Sequence, residues 1–295
     1  MSSGQVVRVK GHLDLFSGIG GFSLGLKQAG IEPEWLGFSD INGFSNKVFK
    51  RRFPDGHELG SITDISYESL RGQDIDLLTG GFPCQTFSVA GKRRGFEDTR
   101  GTLFFEIARI CKEYIDRGRP ISHILCENVK GMVNHDGGRT LAVILGTLRE
   151  LGYTLEYQVV NTRWYRPQNR ERIYIFGRYN GNPGGRKIFP LKTTIREDNG
   201  TSKIAMADYR TDEGLRIRES GVSPTLTLAT PPMVIEDRIR RITPIEAARL
   251  QGFPDDWNDC QSDGQRYKQY GNAITVDIAE IIYRRIYKRE EKRYG

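Results

Sequence analysis

Short apolar runs alternate with amphipathic stretches along the first 177 residues of the chain. Runs rich in β-branched and aromatic residues predict strands, and stretches with apolar residues at helical spacing predict helices between them. The predicted strands are 9–15, 35–39, 75–79, 121–126, 154–160 and 172–176, and the clearest predicted helices are 22–28 and 103–115. Strands that alternate with helices are typical of an α/β fold, a mostly parallel sheet with helices on both faces. Such sheets bind ligands at the carboxyl ends of their strands.

The pattern weakens after Phe176, where glycine, proline and polar residues dominate as far as Asp212. A second, small domain is predicted there. Order resumes at Thr243, which opens a capping box with proline at the first helical position. A last helix is predicted at 273–287. We therefore divide the chain into a first domain, a small irregular domain and a C-terminal helical segment that returns to the first domain: 1–177, 178–264 and 265–295.

The composition is that of a folded globular chain, with 37% hydrophobic and 27% charged residues among 295. No apolar run reaches the roughly 18 residues that cross a membrane, and residues 1–10 lack the apolar stretch of a signal peptide. We therefore expect a cytoplasmic protein without a membrane partner. The net charge of +7 suits a polyanionic partner without requiring one. The four cysteines lie far apart without a CxxC pair, which predicts free thiols and no metal site.

A glycine-rich segment, DLFSGIGGF at 14–22, follows the first predicted strand and precedes a helix. Glycines there allow a tight turn and a close approach of a ligand to the backbone. Ser23 occupies the third glycine position of a dinucleotide-binding motif, which weakens that interpretation. Asp40, at the end of the second predicted strand, is placed to accept ribose hydroxyls. The alternative is a glycine-rich turn without a ligand.

Cys84 lies in the segment GFPCQ, at the carboxyl end of the strand predicted at 75–79. A proline fixes the backbone before it, and adjoining amides favour the thiolate, which is the attacking form. Most isolated cysteines are instead inert small hydrophobes, which is our interpretation of the other three: Cys111, Cys126 and Cys260. The segment that follows, 88–101, combines glycines with several cations and is interpreted either as a mobile basic lid or as an ordinary solvated loop.

Glu127 follows the strand predicted at 121–126, which places a carboxylate in the same crevice. Burial raises the pKa of such an acid, which can then share a proton with a ring nitrogen; the alternative is a helix cap or an ion-pair partner. Strand alternation places Arg170, Arg172 and Tyr174 on one face of the last predicted strand. The alternative there is an edge strand with a wet face, which requires Arg172 to be exposed.

These segments together resemble the bacterial cytosine-5 DNA methyltransferases, the family of the HhaI and HaeIII enzymes. Seven blocks in one order carry the resemblance: DLFSGIGG at 14–21, GFPCQ at 81–85, GFED with Arg-Gly at 95–101, ENV at 127–129, QNRER at 168–172, LQGFP at 250–254 and GNA at 271–273. The resemblance implies a Rossmann-like S-adenosylmethionine-binding catalytic domain at 1–177 and a target-recognition domain at 178–264.

The resemblance also implies roles for individual residues. Cys84 is then the nucleophile that attacks carbon 6 of a flipped cytosine, Glu127 the acid facing N3 and the amino edge, and Arg172 the donor to O2, with Arg170 supporting the site. The implied cofactor-binding residues are Phe16, Gly18, Ile19, Gly20, Asp40, Ile41, Ile62, Asp64, Gly81, Pro83, Leu103 and Asn272. The implied DNA-binding residues of the closing loop are Gln85, Ser88, Lys92, Arg93, Arg94 and Arg100.

A member of this family uses S-adenosylmethionine to methylate carbon 5 of cytosine in a short site of double-stranded DNA. The resemblance implies a restriction-modification, phage or orphan enzyme of bacterial or archaeal origin, associated with the nucleoid, and we expect a monomer. Two rival functions remain: the same chemistry on transfer RNA, and a non-catalytic nucleic-acid-binding protein on the same scaffold.

The chain departs from the family pattern at three places. Ser61-Ile62 stands where many relatives have an Asp-Ile pair that receives the adenine amino group, so that contact passes to Asp64 or is lost. Residues 165–168 are one residue shorter than the usual Tyr-Gly-Ile-Pro-Gln turn. The recognition region is small, at 178–217, which predicts a short target sequence.

Overall fold

The structure is a computed structural model, and it describes residues 6–83, 103–181, 186–191, 205–210, 214–218, 220, 222–226, 231–235 and 239–287. Seven strands form one sheet in the order β3-β2-β1-β4-β5-β7-β6. Their bounds are β1 (Val7–Leu15), β2 (Ile31–Ser39), β3 (His57–Glu58), β4 (Leu77–Gly80), β5 (His123–Val129), β6 (Tyr153–Asn161) and β7 (Glu171–Tyr179). The predicted α/β class with a mostly parallel sheet is confirmed, since only β7 runs antiparallel to its neighbours.

Helices cover both faces of this sheet. On one face, α3 (Leu103–Asp116) and α4 (Arg139–Glu150) bury apolar side chains against Leu13 and Leu15 of β1. On the other face, α1 (Gly21–Gln28) and α7 (Val276–Tyr287) pack against β5 and β7. The helices α1 and α7 approach so closely that a Cβ atom at Gly25 would lie 2.8 Å from Cβ of Ala279. The C-terminal helix therefore belongs to the same layer as the helix after the glycine-rich segment.

The strand β7 lies between β5 and β6 and is therefore not an edge strand. Its even-numbered apolar residues, Tyr174 and Phe176, enter one core, and its odd-numbered residues, Ile173 and Ile175, enter the other. This is the alternation predicted from the sequence. The same alternation places Arg170 and Arg172 at the start of the face to which Tyr174 belongs.

A second sheet holds four antiparallel strands in the order β11-β10-β8-β9. Their bounds are β8 (Ala205–Arg210), β9 (Gly214–Arg218), β10 (Met233–Ile235) and β11 (Ile239–Arg241). The two helices that follow are α5 (Pro244–Gln251) and α6 (Asp263–Asn272), and α2 (Gly43–Arg52) follows β2. A third apolar core joins Met206 and Val234 of this sheet to Ile19 and Leu24 of the glycine-rich segment and α1.

The domain boundaries at residues 177 and 264 stay predictions.

The capping box predicted at Thr243 is present. The Thr243 hydroxyl accepts a hydrogen bond from the backbone N–H of Glu246, and the Glu246 carboxylate accepts one from the backbone N–H of Thr243. Proline occupies the first helical position, where a missing N–H costs nothing. None of the helices in the described ranges is long and apolar enough to cross a membrane.

Candidate active site

The glycine-rich segment turns sharply above the carboxyl end of β1. Phe16, Gly18 and Gly20 all adopt positive φ angles, of 52°, 53° and 84°. A Cβ atom on Gly18 would meet nothing within 4 Å, so open space lies beside this backbone. The turn is held by the Ser17 backbone N–H, which donates to the carbonyl of Ser39 at 3.1 Å. The segment thus presents bare backbone to a ligand at the edge where one is expected.

Asp40 follows β2 and faces the same turn. Its carboxylate accepts hydrogen bonds from the backbone N–H groups of Gly18, at 2.9 Å, and Asn42, at 2.8 Å. A carboxylate has about four accepting positions, so capacity remains for the hydroxyls of a ligand. Ile41 is 87% exposed and Phe44 is 54% exposed beside it, which provides an apolar surface for a planar base. These residues suit the sugar and base of a nucleoside cofactor.

The Ser61 departure has a local structural role. Its hydroxyl caps the short 3₁₀ turn at Ile62–Asp64, accepts from the Thr63 backbone N–H at 3.4 Å and shares a 2.8 Å contact with the Thr63 hydroxyl. The Thr63 hydroxyl donates in turn to Asp64, at 3.2 Å. Ile62 is buried and Asp64 is exposed. An exposed carboxylate therefore lies near the position where relatives carry Asp.

A buried polar chain that sequence analysis missed lies below the glycine-rich segment. Asp14 accepts hydrogen bonds from the hydroxyls of Ser23, at 2.7 Å, and Thr79, at 3.0 Å, and the Thr79 hydroxyl contacts Nε2 of His12 at 2.8 Å. Burial raises the pKa of Asp14 to about 7 and lowers that of His12 to about 3. The only signal in the sequence is the presence of two ionisable residues inside an apolar strand.

Three adjacent strands bring the predicted catalytic segments to one edge of the sheet. Residues 81–83 follow β4, Glu127 lies near the end of β5, and Arg172 lies near the start of the antiparallel β7. Nε of Arg172 lies 3.0 Å from Oε1 of Glu127, and a Cβ atom on Gly81 would lie 3.6 Å from Oε2 of Glu127. The Arg172 side chain is 17% exposed, so the alternative of a solvent-exposed Arg172 on an edge strand is wrong.

The buried Asn128 connects two of these segments. Its side-chain N–H donates to the carbonyl of Phe82 at 2.9 Å, and its Oδ1 accepts from the backbone N–H of Val129 at 2.8 Å. The amide thus fixes the backbone that leads to Pro83. The residues after it that the sequence singled out lie outside the described residues: Cys84, Gln85, Ser88, Lys92, Arg93, Arg94 and Arg100.

Burial dominates the electrostatics of Glu127. It raises the pKa of this carboxyl group, while the positive charges of Arg172 and Arg170 act in the opposite direction. Oε1 is buried and is paired with Arg172 at 3.0 Å, and a carboxylate has about four accepting positions. The carboxyl group therefore keeps bonding capacity for a group that enters the crevice.

Arg170 is buried and reaches away from Glu127 towards the C-terminal part of the chain. Its guanidinium donates to the carbonyl of Gly271 at 3.0 Å and to that of Ala273 at 2.8 Å. These two carbonyls flank the exposed Asn272. Burial, with the nearby Arg172, lowers the pKa of Arg170 to about 10. The structure thus joins Arg170 to the segment that carries one of the predicted cofactor-binding residues.

Known proteins share both the sequence and the fold. A match to the family described as C-5 cytosine-specific DNA methylase spans residues 11–220 and 183–288. The chain is 38% identical to Type II methyltransferase M1.ScrFI of Lactococcus lactis subsp. cremoris, over 95% of this chain and 78% of that protein. It is 32% identical to Type II methyltransferase M.HhaI of Haemophilus parahaemolyticus, over 92% of each.

Solved structures agree on the fold. The chain is similar to the S. pombe Dnmt2 methyltransferase, with a TM-score of 0.71 and 21% identity over 93% of this chain and 98% of that one. It is also similar to a Spodoptera frugiperda DNMT2 variant, with a TM-score of 0.69 and 20% identity over 93% of this chain and all of that one. Since the family match and these identities span most of the chain, the protein belongs to the C-5 cytosine-specific DNA methylase family and is a DNA cytosine-5-methyltransferase.

Proposed function

We propose that this enzyme methylates carbon 5 of a cytosine flipped out of duplex DNA, with S-adenosylmethionine as the methyl donor and a transient bond from Cys84 to carbon 6. The relatives named Type II methyltransferases support a role in a restriction-modification system. The small recognition region supports a short target sequence.

The observation that carries the proposal is the ion pair of the buried Glu127 with the largely buried Arg172, beside the backbone that leads to Cys84. The ion pair of 3.0 Å lies at the carboxyl end of β5, and Gly81 of the neighbouring segment leaves room beside Oε2 of Glu127. A protein that only binds DNA has no physical need for a nucleophile, a buried acid and a guanidinium at one edge. A flipped pyrimidine needs all three.

The chemistry explains why these groups belong together. Carbon 5 of cytosine is a poor nucleophile, and addition of a thiolate at carbon 6 converts the ring to an enamine whose carbon 5 attacks a methyl group. Glu127 shares or donates a proton at N3, and Arg172 donates at O2, so both stabilise the charge that develops in the adduct. Loss of the carbon 5 proton to a base then expels Cys84 and restores the ring.

The cofactor, when bound, supplies a methyl group on a sulfonium. We assign its ribose hydroxyls to Asp40 and its adenine to the apolar surface of Ile41 and Phe44. The bare backbone at Gly18 and the uncapped N-terminus of α1 face its amino-acid part. Arg170 positions the Asn272 segment beside this pocket.

Cytosine is inaccessible inside a stacked duplex, so the base must leave the helix at a cost of a few kcal/mol. Contacts to phosphates and to the neighbouring bases offset this cost. We assign base recognition to the 178–264 region, whose strand β9 exposes Arg216 and Ile217. These consecutive residues point to opposite faces of the strand, and the exposed cation of Arg216 is suited to contact a groove of DNA.

The experiment begins with bisulfite sequencing of DNA from a host that expresses the chain, which identifies the target. A duplex with 5-fluorocytosine at that position is then incubated with enzyme and S-adenosylmethionine, because fluorine blocks the final elimination. We expect an intact-mass increase equal to one methylated duplex, and no adduct with Cys84→Ser. Absence of an adduct with the wild-type enzyme at the verified site overturns the covalent mechanism. Equal or greater methyl incorporation into transfer RNA than into duplex DNA overturns the proposed substrate.

A further inference from the structure

An ion pair to which no function has been assigned joins two segments of the site. Nε of Arg166 donates to Oδ2 of Asp277 at 2.9 Å, and Nη2 donates to Oδ1 at 2.8 Å. The side chains are 36% and 24% exposed. A bidentate guanidinium–carboxylate pair fixes orientation as well as distance. Arg166 belongs to the shortened turn at 165–168, and Asp277 lies in the first turn of α7.

The Asp277 carboxylate is confined on a further side. A Cβ atom on Gly252 would lie 2.3 Å from Oδ2 of Asp277, so the carboxylate rests on bare backbone at the end of α5. Gly252 has a φ of 82°, the left-handed conformation that closes the helix. The Asp277 carboxylate is therefore packed against the end of α5 and is less exposed than a carboxylate of a surface ion pair.

Two buried contacts join the same two segments. The Thr162 hydroxyl lies 2.7 Å from that of Thr275, which donates to Oε1 of Gln251 at 3.1 Å. Arg170 donates to the carbonyls on either side of Asn272. Residues 162–170 and 271–277 are thus tied at three points, of which the Arg166 pair is nearest the surface.

We propose that Asp277 is a positioning residue that, through Arg166, sets the segment carrying Arg170 and Arg172 at a fixed distance from the Asn272 segment. The shortened turn is thereby held by an ion pair, and the catalytic arginines and the cofactor pocket share one rigid support. This inference rests on the proposed roles of Arg172 and Asn272. Small displacements at a reacting centre are expensive, since about 1 Å can cost 100-fold in rate.

The test is a double-mutant cycle of Asp277→Asn, Arg166→Met and the double variant, with cofactor Kd by calorimetry, kcat on target duplex and thermal unfolding. We expect each single variant to lower kcat and to raise the Kd of the cofactor. Together these changes should lower kcat/KM for S-adenosylmethionine by about tenfold. The double variant should be no worse than the poorer single variant, because both lose the same contact. Arg166→Lys keeps the positive charge but loses the bidentate guanidinium geometry. We expect this variant to fold and to show most of the loss in kcat and in cofactor affinity.

The matched control is the exposed ion pair of Lys112 and Asp116 on α3, in which Nζ donates to both carboxylate oxygens at 2.8 and 2.7 Å, with Asp116→Asn and Lys112→Met as variants. We expect no change in kcat or Kd for these. Full activity of Asp277→Asn or Arg166→Lys overturns the proposal, as does a lower unfolding temperature with unchanged kcat and Kd in the folded enzyme. If the wild-type enzyme forms no 5-fluorocytosine adduct, the proposed function fails instead, and the two failures are thereby distinguished.

Discussion

At the scale of single residues, the buried chain of His12, Thr79 and Asp14 combines two ionisable groups whose pKa values move in opposite directions. Neutral forms of both are favoured, because burial penalises charge. The network lies directly below the glycine-rich segment. Ser23, in the first turn of α1, donates a hydrogen bond to Asp14, so the protonation state of Asp14 is coupled to that turn. The two groups make opposing contributions to stability over nearly the same range of pH.

The sign of each group's contribution follows from proton linkage, because stability rises with pH wherever the unfolded chain binds more protons than the folded chain. Between about pH 3 and 6.5 the unfolded chain binds more protons at residue 12, so stability from His12 rises with pH. Between pH 3.8 and about 7 the folded chain binds more protons at residue 14, so stability from Asp14 falls with pH. Relative to wild type, Asp14→Asn should therefore gain stability as pH rises from 4 to 7, with a limiting slope of about 1.4 kcal/mol per pH unit.

The measurement is urea unfolding at several pH values. His12→Gln keeps a side-chain nitrogen for Thr79 and should show the opposite slope relative to wild type, losing stability as pH rises. Two difference curves of the same sign, or two flat curves, would contradict the assigned protonation states.

Glu127 offers a second prediction at this scale. Because burial raises its pKa, the carboxyl group can hold a proton at a higher pH than an exposed acid, and general acid catalysis contributes about 10²–10⁴ in rate. Glu127→Gln keeps the shape and loses the transferable proton, so kcat should fall by at least about 100-fold. Single-turnover methylation measures this, with cofactor Kd as the control, since the proposed role of Glu127 is towards the cytosine ring and not the cofactor. A decrease in the single-turnover rate of less than tenfold would contradict the proposed role of Glu127 as the general acid.

At the scale of elements, the short turn after Ser61 shows how a family contact can be replaced locally. The Ser61 hydroxyl is committed to capping that turn, which aspartate caps equally well. Ser61→Asp should therefore keep the turn and add the carboxylate that relatives use, tightening cofactor binding by about threefold to tenfold. Asp64→Asn should weaken it if the exposed Asp64 has taken over the contact. Calorimetric Kd values for both variants check this; unchanged affinity in both would show that the adenine amino group is bound elsewhere.

The capping box at Thr243 provides a prediction about stability alone. Its side chain satisfies one orphan donor of α5, and loss of such a cap costs about 1 kcal/mol. Thr243→Ala should lower the free energy of unfolding by about that amount, and Thr243→Ser should not. Denaturant unfolding measures both, and equal stability of the three proteins would show that the box does not stabilise this helix.

Elements differ in how far the sequence predicts them. The strands β1, β5 and β7 and the cap at Thr243 follow from apolar periodicity and a local motif, and the structure confirms them. The position of β7 between β5 and β6 does not follow, because strand order depends on packing rather than on local pattern. The four short strands at 205–241 lie in a region whose weak alternation gives no strand signal.

The candidate site also contains some contacts that the sequence predicts and others that it does not. Glu127 and Gly81 meet because the carboxyl ends of neighbouring parallel strands meet, which the sheet rule predicts. Arg172 lies at the start of β7 and reaches the same edge only because β7 is antiparallel, which no local pattern indicates. The Arg166–Asp277 pair joins residues 111 apart, and no local pattern indicates it. Cys84 and the basic segment after it lie outside the described residues, so their roles stay predictions.

At the scale of the whole molecule, the net charge of +7 is modest for a DNA-binding enzyme, and many surface cations are already paired with carboxylates. Affinity for DNA therefore depends on a limited number of phosphate contacts. Each contact releases about one counterion, so with roughly five contacts a plot of log affinity against log salt has a slope near −4.5.

We therefore expect salt to weaken the binding of DNA much more than the binding of the cofactor. Raising the salt concentration from 50 to 200 mM should weaken binding of the target duplex by about 500-fold, because the slope of −4.5 acts on a fourfold change. The affinity for S-adenosylmethionine should change by less than twofold, since its proposed contacts are with one carboxylate, apolar surface and backbone. Fluorescence anisotropy with labelled duplex and calorimetry with cofactor measure the two. A slope shallower than −2 for DNA would mean that binding depends mainly on base contacts, and a steep slope for the cofactor would move its carboxylate onto a cationic side chain instead of the backbone at α1.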